Sequence, residues 1–231
     1  MSIRNIHLRK LLRAFNEPEN RKITLLRGDI RSELKKRSGL SSKGGDFHGP
    51  FWSDAKNHAS GEIDLSIATL DRIAKNEARG RLYPELTEGF LEWWHNKRRT
   101  RNEPISAFPY TVKKRYIIDE LDAVVKVENL LSIIIGDPNL GPQGKRLIYP
   151  YFSEEPVLDE KTARLGLWLL SEALPEYDPE DLRILDVMRA RAFSLTETPL
   201  TGIEEYEFKK KYEKLIDEWE ALSKQLSLIH I

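Results

Sequence analysis

The spacing of hydrophobic residues divides the chain into a helical first part and a second part rich in β-strands. Up to about residue 104, apolar residues recur at intervals of three and four, which places them on one side of an α-helix. One such helix is predicted from Glu19 to just before Gly39, a residue type that often ends helices. Ser2 is predicted to begin an earlier helix and Asp64 a later one, because both side chains can accept hydrogen bonds from the first backbone N–H groups.

After Pro104 the pattern changes to that of strands joined by turns. The predicted strands are at 111–118, 122–135 (with a bulge or a break near Glu128 left open), 145–152 and 182–195, and the predicted helices are at 159–174 and 204–223. These elements predict an α+β protein. A basic helical region at 1–104 is followed by an αβββαβ-like sheet domain with a C-terminal helix at 105–225.

The last six residues, Leu226–Ile231, break the charged helical pattern that precedes them. Their sequence resembles the translation of a transposase adapter that is used to build sequencing libraries. We therefore expect this tail to be foreign sequence and the natural carboxyl terminus to be missing, and the tail is left out of the fold and site predictions.

The charge of the chain is neutral as a whole but unevenly distributed. Lys and Arg number 37, as do Asp and Glu. Residues 1–116 hold 24 basic and 14 acidic residues, whereas residues 117–231 hold 13 and 23, so the two parts carry +10 and −10. A basic region can attract the phosphate groups of a nucleic acid or an acidic surface of a protein, so both are candidate partners. The alternative is that the two sets of charges are solvated or attract each other.

The composition limits the cellular compartments and the kinds of reactive site that are expected for this chain. The chain has no cysteine, so disulfides, thiol nucleophiles and thiolate metal sites are excluded. No apolar run is long enough to span a bilayer, and the amino terminus has no signal-peptide pattern. We therefore expect a cytoplasmic protein without membrane contact. Neither a resident metal nor a cofactor is predicted.

Basic residues cluster around the predicted boundary between the two parts. They are Lys97, Arg98, Arg99, Arg101, Lys113, Lys114 and Arg115. Such a cluster can bind nucleic acid, because cations displace counterions from the phosphate backbone. Trp93 and Trp94 lie beside the cluster, but they are in line with Leu86 and Phe90, which predicts that they belong to the core. A solvated or internally paired cluster is the alternative.

From the last basic helix to residue 195, the predicted elements follow the order α, β, β, β, α, β. This order resembles the core of the PD-(D/E)xK nucleases, in which an acidic residue on the second strand and an acidic-x-Lys motif on the third bind a divalent metal. Asp122 stands near the first acidic position, but the third strand, Lys145–Phe152, has no acidic-x-Lys. The predicted strand at 122–135 contains Lys126 and Glu128, which are the two residue types of this motif in the reverse order.

Two functions therefore stay open. The first is a non-catalytic binding protein, with a nuclease-like order of elements but no nuclease site, that contacts nucleic acid or a protein through its basic region. The second is a metal-dependent phosphodiesterase with Asp122, Lys126 and Glu128 in a displaced site, for which the resemblance implies Mg²⁺ as the cofactor.

Another candidate binding feature lies on the predicted strand Leu182–Leu195. A period of two residues places Arg189 and Arg191 on one face, and Tyr149 and Tyr151 share a face of another strand. If the two strands are neighbours, these groups form an anion-binding face, because guanidinium groups bind phosphate or carboxylate and stack on aromatic rings. The alternative is that each arginine pairs with a nearby carboxylate and is structural.

Overall fold

The structure is a computed structural model, and it describes residues 3–39, 47–99, 103–108, 112–136 and 144–229. The described residues form seven α-helices and eight β-strands. The helices are α1 (Leu8–Asn16), α2 (Glu19–Arg37), α3 (Gly49–Ala59), α4 (Leu65–Lys75), α5 (Tyr83–Arg99), α6 (Glu160–Ala173) and α7 (Glu204–Ile229). The strands are β1 (Asn5–His7), β2 (Ile105–Phe108), β3 (Lys113–Ile118), β4 (Ala123–Glu128), β5 (Leu131–Ile135), β6 (Lys145–Tyr151), β7 (Leu182–Asp186) and β8 (Arg191–Ser194).

The strands form two mixed sheets. A small sheet has the order β1-β4-β3, with β1 parallel and β3 antiparallel to β4. A larger sheet has the order β2-β5-β6-β7-β8, in which β6 and β7 are parallel and the other neighbours are antiparallel. The helix α6 connects the two parallel strands, which a hairpin turn cannot do. Helices and mixed sheets together confirm the predicted α+β class.

The larger sheet separates two hydrophobic cores. On β6, Tyr149 points into the first core, which the small sheet shares with α1, α2, α6 and α7. Ile148 points into the second core, which α3, α4 and α5 cover, because successive side chains of a strand point to opposite faces. Each core contains residues from both sides of the predicted boundary at 104, so this boundary does not separate two cores.

The first described residues form a strand where the sequence predicts a helix. β1 pairs in parallel with β4, and His7 lies opposite Lys126. Ile6 is buried in the first core. Ser2, the predicted cap, lies outside the described residues. The helical prediction is wrong for this segment because its backbone finds its partner in a distant strand, which local spacing does not reveal.

Two predicted helix boundaries are confirmed. Gly39 follows α2 with a φ of +73°, and its backbone N–H donates to the carbonyl of Lys36 at 3.2 Å. Asp64 caps α4, since its carboxylate accepts a hydrogen bond from the backbone N–H of Ile67 at 3.0 Å. At both sites a single residue type with a specific local geometry sets the end of the helix.

Two predicted strands are divided in the structure. The run at 122–135 breaks at Asn129, which has a φ of +67°, and its halves β4 and β5 belong to different sheets. The prediction of one strand at Leu182–Leu195 is wrong, because the chain turns back between β7 and β8. Ala190 in this turn has a φ of +51°, a conformation that ends an extended strand.

Among the described residues, five strands, β2 to β6, lie between α5 and α6, where the sequence predicts three. Around the larger sheet, α5, β2, β5, β6, α6 and β7 follow the order α, β, β, β, α, β. The unpredicted strand β2 takes the place of the run at 111–118, which forms β3 of the small sheet.

The last helix, α7, continues to Ile229, and Leu226 packs in the first core. Among the described helices, none is long and apolar enough to cross a membrane.

Candidate nucleic-acid interface

The small sheet turns one face toward the first core and the other face away from it. Along β3 and β4, Tyr116, Val125 and Val127 point toward the core, so the residues between them lie on the outer face. The outer face carries Asn5 and His7 from β1, Val124, Lys126 and Glu128 from β4, and Lys113, Arg115 and Ile117 from β3. We call the set of His7, Lys56, Lys113, Arg115 and Lys126 the basic face.

The register of the small sheet brings cations of the basic face together. Arg115 lies directly opposite Lys126, and His7 lies opposite Lys126 on the other side, so the three residues form one row across three strands. Like charges opposite each other on a sheet repel. Within the described part of the chain, neither Arg115 nor Lys126 has a carboxylate partner. The row therefore keeps positive charge that an anion can neutralise.

Lys56 adds a further cation from α3. Burial lowers the pKa of Lys56, and the nearby ammonium group of Lys113 lowers it further. Lys113 also lies opposite Glu128 in the sheet register. Glu128 is the one carboxylate that the described residues place on the outer face, and its Oε2 lies 4.0 Å from Nδ1 of His7. Cations thus outnumber carboxylates on this surface, which favours a polyanionic ligand.

The other basic residues predicted to contact nucleic acid are not on the outer face of the small sheet or lie outside the described residues. The helix α5 ends with Lys97, Arg98 and Arg99 in its last turn. Arg98 and Arg99 are exposed there, and Arg101 lies outside the described residues. Lys114 does not share a face with Lys113 and Arg115: it points to the other face of β3, and its Nζ lies 2.7 Å from Oε1 of Glu176.

The tryptophans of α5 belong to the core, as predicted. Trp93 and Trp94 are buried. The ring of Phe90 packs against both, with centroid distances of 5.7 Å and 6.4 Å. Their faces are therefore not open to nucleic-acid bases, so the basic end of α5 can contribute charge without stacking by these rings.

The three residues of the displaced nuclease site are not brought together. Asp122 precedes β4 with a φ of +45°, whereas Glu128 is the last residue of that strand. Six residues of extended chain separate the two Cα atoms by about 20 Å. A divalent cation contacts its oxygen ligands at roughly 2.0–2.6 Å, so the two carboxylates cannot share one ion. The described residues contain no cluster of three His, Cys, Asp or Glu side chains suited to a metal.

The predicted anion-binding face does not form, because Arg189 and Arg191 do not share a strand. Arg189 lies in the turn between β7 and β8, where its Nη1 is 3.3 Å from Oδ1 of Asp186 and 2.8 Å from the carbonyl oxygen of Ser153. Burial raises the pKa of Asp186, and Arg189 partly offsets this effect. Arg191 begins β8, and its Nη2 lies 2.7 Å from Oε1 of Glu160. Both arginines therefore have structural partners.

The two tyrosines of the same prediction are buried in the first core. Tyr149 and Tyr151 are 2% and 1% exposed. The Tyr149 hydroxyl accepts a hydrogen bond from the backbone N–H of Arg9 at 2.9 Å, and the Tyr151 hydroxyl donates to the carbonyl of Pro156 at 2.7 Å. Burial raises the pKa of Tyr151 to about 12. These rings fasten β6 to neighbouring segments and are not open to a ligand.

Two members of the basic face could not be assigned from the sequence. His7 reaches the outer face because β1 pairs with β4, a pairing that the helical prediction excluded. No local pattern connects Lys56 on a helix with Lys113 on a strand. Lys126 lies between Val125 and Val127, which are buried. This period of two predicts from the sequence that the Lys126 side chain points away from the core.

Comparison with known proteins does not assign this surface. No family model matches the chain, and no curated protein is found to be similar to it. A function for the basic face therefore has to be inferred from its own geometry and charge.

Proposed function

We propose that the protein is a non-catalytic nucleic-acid-binding protein and that the basic face is its contact surface. The observation that carries this proposal is the row of His7, Lys126 and Arg115 across the small sheet, with Lys113 and Lys56 beside it. Lys126 and Arg115 are neighbouring cations that repel each other, and a ligand with regularly spaced negative charges stabilises such an arrangement. The phosphate backbone of a nucleic acid has this property.

The composition of the face favours contacts to phosphate rather than to bases. Lys and Arg side chains that contact phosphates fix the position of a protein on nucleic acid without reading its sequence. Ile117 and Val124 lie beside the cations, but the described part of the outer face carries no Trp, Tyr or Phe ring on which a base could stack. We therefore propose binding that depends weakly on base sequence and strongly on ionic strength.

The affinity for single-stranded or duplex DNA is expected to fall steeply with added salt. If three to four cations each contact a phosphate, a fourfold increase in salt concentration lowers the association constant for duplex DNA by about 40- to 150-fold, because counterion release weakens as salt rises. Fluorescence anisotropy titrations at several salt concentrations give this dependence. An association constant that does not change with salt would contradict binding through the basic face.

A second candidate is the metal-dependent phosphodiesterase with a displaced site. The observation that favours it is the order α, β, β, β, α, β around the larger sheet. The separation of Asp122 from Glu128 and the lack of an acidic-x-Lys on β6 argue against it. Incubation with plasmid and Mg²⁺ distinguishes the two candidates. Cleavage that Asp122→Asn or Glu128→Gln abolishes, with the fold intact, would replace the first proposal with the second.

A further inference from the structure

The helix α4 carries an apolar stripe on the side that faces away from the protein. Ile67 and Leu70 are 63% and 67% exposed, and Ala74 is also exposed. Ile63, directly before the cap of this helix, is 36% exposed. These four residues are called the α4 stripe. Monomeric proteins expose single apolar side chains routinely, but an aligned group of large ones is typical of an interaction surface.

The opposite side of α4 is firmly held, so the stripe is presented on a fixed support. The hydroxyl groups of Thr69 and Thr87 lie 2.6 Å apart and join α4 to α5. Arg72 donates from Nε and Nη2 to the carboxylate of Asp54 at 2.8 Å and 3.0 Å, which joins α4 to α3. A rigid element loses little conformational entropy when a partner binds it.

The charges at the two ends of the stripe identify its partner. Asp64 stands at the start of α4 and Lys75 at its end, and both are exposed. Eleven residues separate them, which is about three helical turns, so they lie on nearly the same side of the helix. A second α4 in antiparallel orientation would place Lys75 near the partner's Glu62 and Asp64, which are both exposed. A parallel orientation would place like charges together.

The apolar positions fit the same antiparallel orientation, with a centre one residue away from that of the charged pair. An antiparallel pair can be centred between Ile67 and Leu70. Ile67 then faces the partner's Leu70, and Ile63 faces the partner's Ala74. A two-fold axis requires this self-complementarity, because each residue contacts its counterpart in both directions. Charge and apolar pattern therefore fit a second copy of this chain better than an unrelated partner.

We propose that the α4 stripe is the interface of a two-fold symmetric, antiparallel dimer of this chain. The stripe is short, so the interface falls in the small class that gives weak and reversible association. This proposal does not depend on the proposed nucleic-acid binding, since it uses residues outside the basic face.

Analytical ultracentrifugation tests the proposal directly. The unmodified protein is expected to shift from monomer to dimer as its concentration rises from low micromolar to high hundreds of micromolar. Ile67→Glu and Leu70→Glu, made separately, should each abolish the shift, because a buried unpaired charge opposes association. Ile203→Glu is the matched control, since Ile203 is 53% exposed and precedes α7 instead of α4. The control variant should dimerise normally.

Three results would overturn the dimer proposal. They are a monomer at all concentrations, a dimer that survives both substitutions, and an equal loss in the control variant. Circular dichroism and thermal unfolding of each variant establish that the fold is intact. Because substitutions at exposed positions usually change stability little, a folded variant is expected in each case.

The antiparallel orientation has its own test, because the sequence has no cysteine and an introduced one is unique. Glu62 lies next to the stripe at the start of α4 and Lys75 at its end. Mixing Glu62→Cys protein with Lys75→Cys protein and adding a short thiol-specific cross-linker should yield mainly the mixed dimer. Preferential linkage of each variant to itself would contradict the antiparallel arrangement.

Discussion

Replacing Gly89 by alanine is expected to lower the free energy of unfolding by about 2–3 kcal/mol, the range typical of overpacking in a core. The Cβ atom added to α5 would lie 2.1 Å from the carbonyl oxygen of Val187 and 2.8 Å from that of Met188. Both oxygens belong to the backbone of the turn between β7 and β8, which cannot move aside as a flexible side chain can. The gain in helix propensity of about 1 kcal/mol offsets only part of this effect.

Gly28→Ala is the matched control for this substitution. Gly28 lies within α2, and a Cβ atom added there meets no heavy atom within 4 Å. Alanine is therefore expected to raise the free energy of unfolding by about 0.5–1 kcal/mol. Denaturant unfolding of both variants gives the two values. If Gly89→Ala is as stable as Gly28→Ala, then α5 does not pack closely on the β7–β8 turn.

Reversing two charges of the basic face is expected to lower the affinity for nucleic acid by about 100-fold at low salt. Arg115→Glu combined with Lys126→Glu removes two cations from the centre of the row and puts carboxylates in their place. If each lost phosphate contact contributes about 1.4 kcal/mol, the loss is tenfold for each residue, and repulsion of phosphate adds to it. The two new carboxylates repel as the two cations did, so the stability of the sheet should change little.

A second pair of substitutions separates a local effect from an effect of net charge. Arg31→Glu combined with Lys35→Glu changes the net charge by the same amount, on the exposed side of α2. We expect this variant to lose about threefold or less in affinity, because both substitutions are on α2 and leave every residue of the basic face in place. Equal losses in the two variants would show that the basic face has no special role.

Features that depend on local chemistry could be predicted from the sequence. Gly39 and Asp64 set helix ends through their own conformation and hydrogen bonds, and neighbouring residues suffice to recognise them. The burial of Trp93 followed from its spacing in α5. In each case the structure that forms is determined within a few residues of the position concerned.

Features that depend on distant partners could not be predicted in this way. The segment Asn5–His7 has helix-compatible spacing, and only its pairing with β4 makes it a strand. The run Leu182–Leu195 has the composition of one strand, but Ala190 adopts a positive φ and the chain folds back. The prediction that Arg189 and Arg191 share one face assumes an unbroken strand. Because the chain turns between them, the predicted anion-binding face does not form.

Part of the basic face could be predicted from the sequence. The basic cluster in the sequence includes Lys113 and Arg115, and the structure places both on the outer face of the small sheet. The nuclease resemblance assigns Lys126 to a catalytic site, but its position between the buried residues Val125 and Val127 indicates a place on the surface. The register that aligns Arg115 with Lys126 is a property of the pairing between β3 and β4, which no segment specifies alone.

A nuclear magnetic resonance titration with a short single-stranded oligonucleotide tests the proposed interface most directly. Backbone amide signals report the contact surface residue by residue. We expect saturable shifts centred on Lys113, Arg115 and Lys126, with smaller ones at His7 and Lys56, and almost none along α2 and α7. Shifts concentrated on another surface, or no saturable shifts at low salt, would contradict nucleic-acid binding by the basic face.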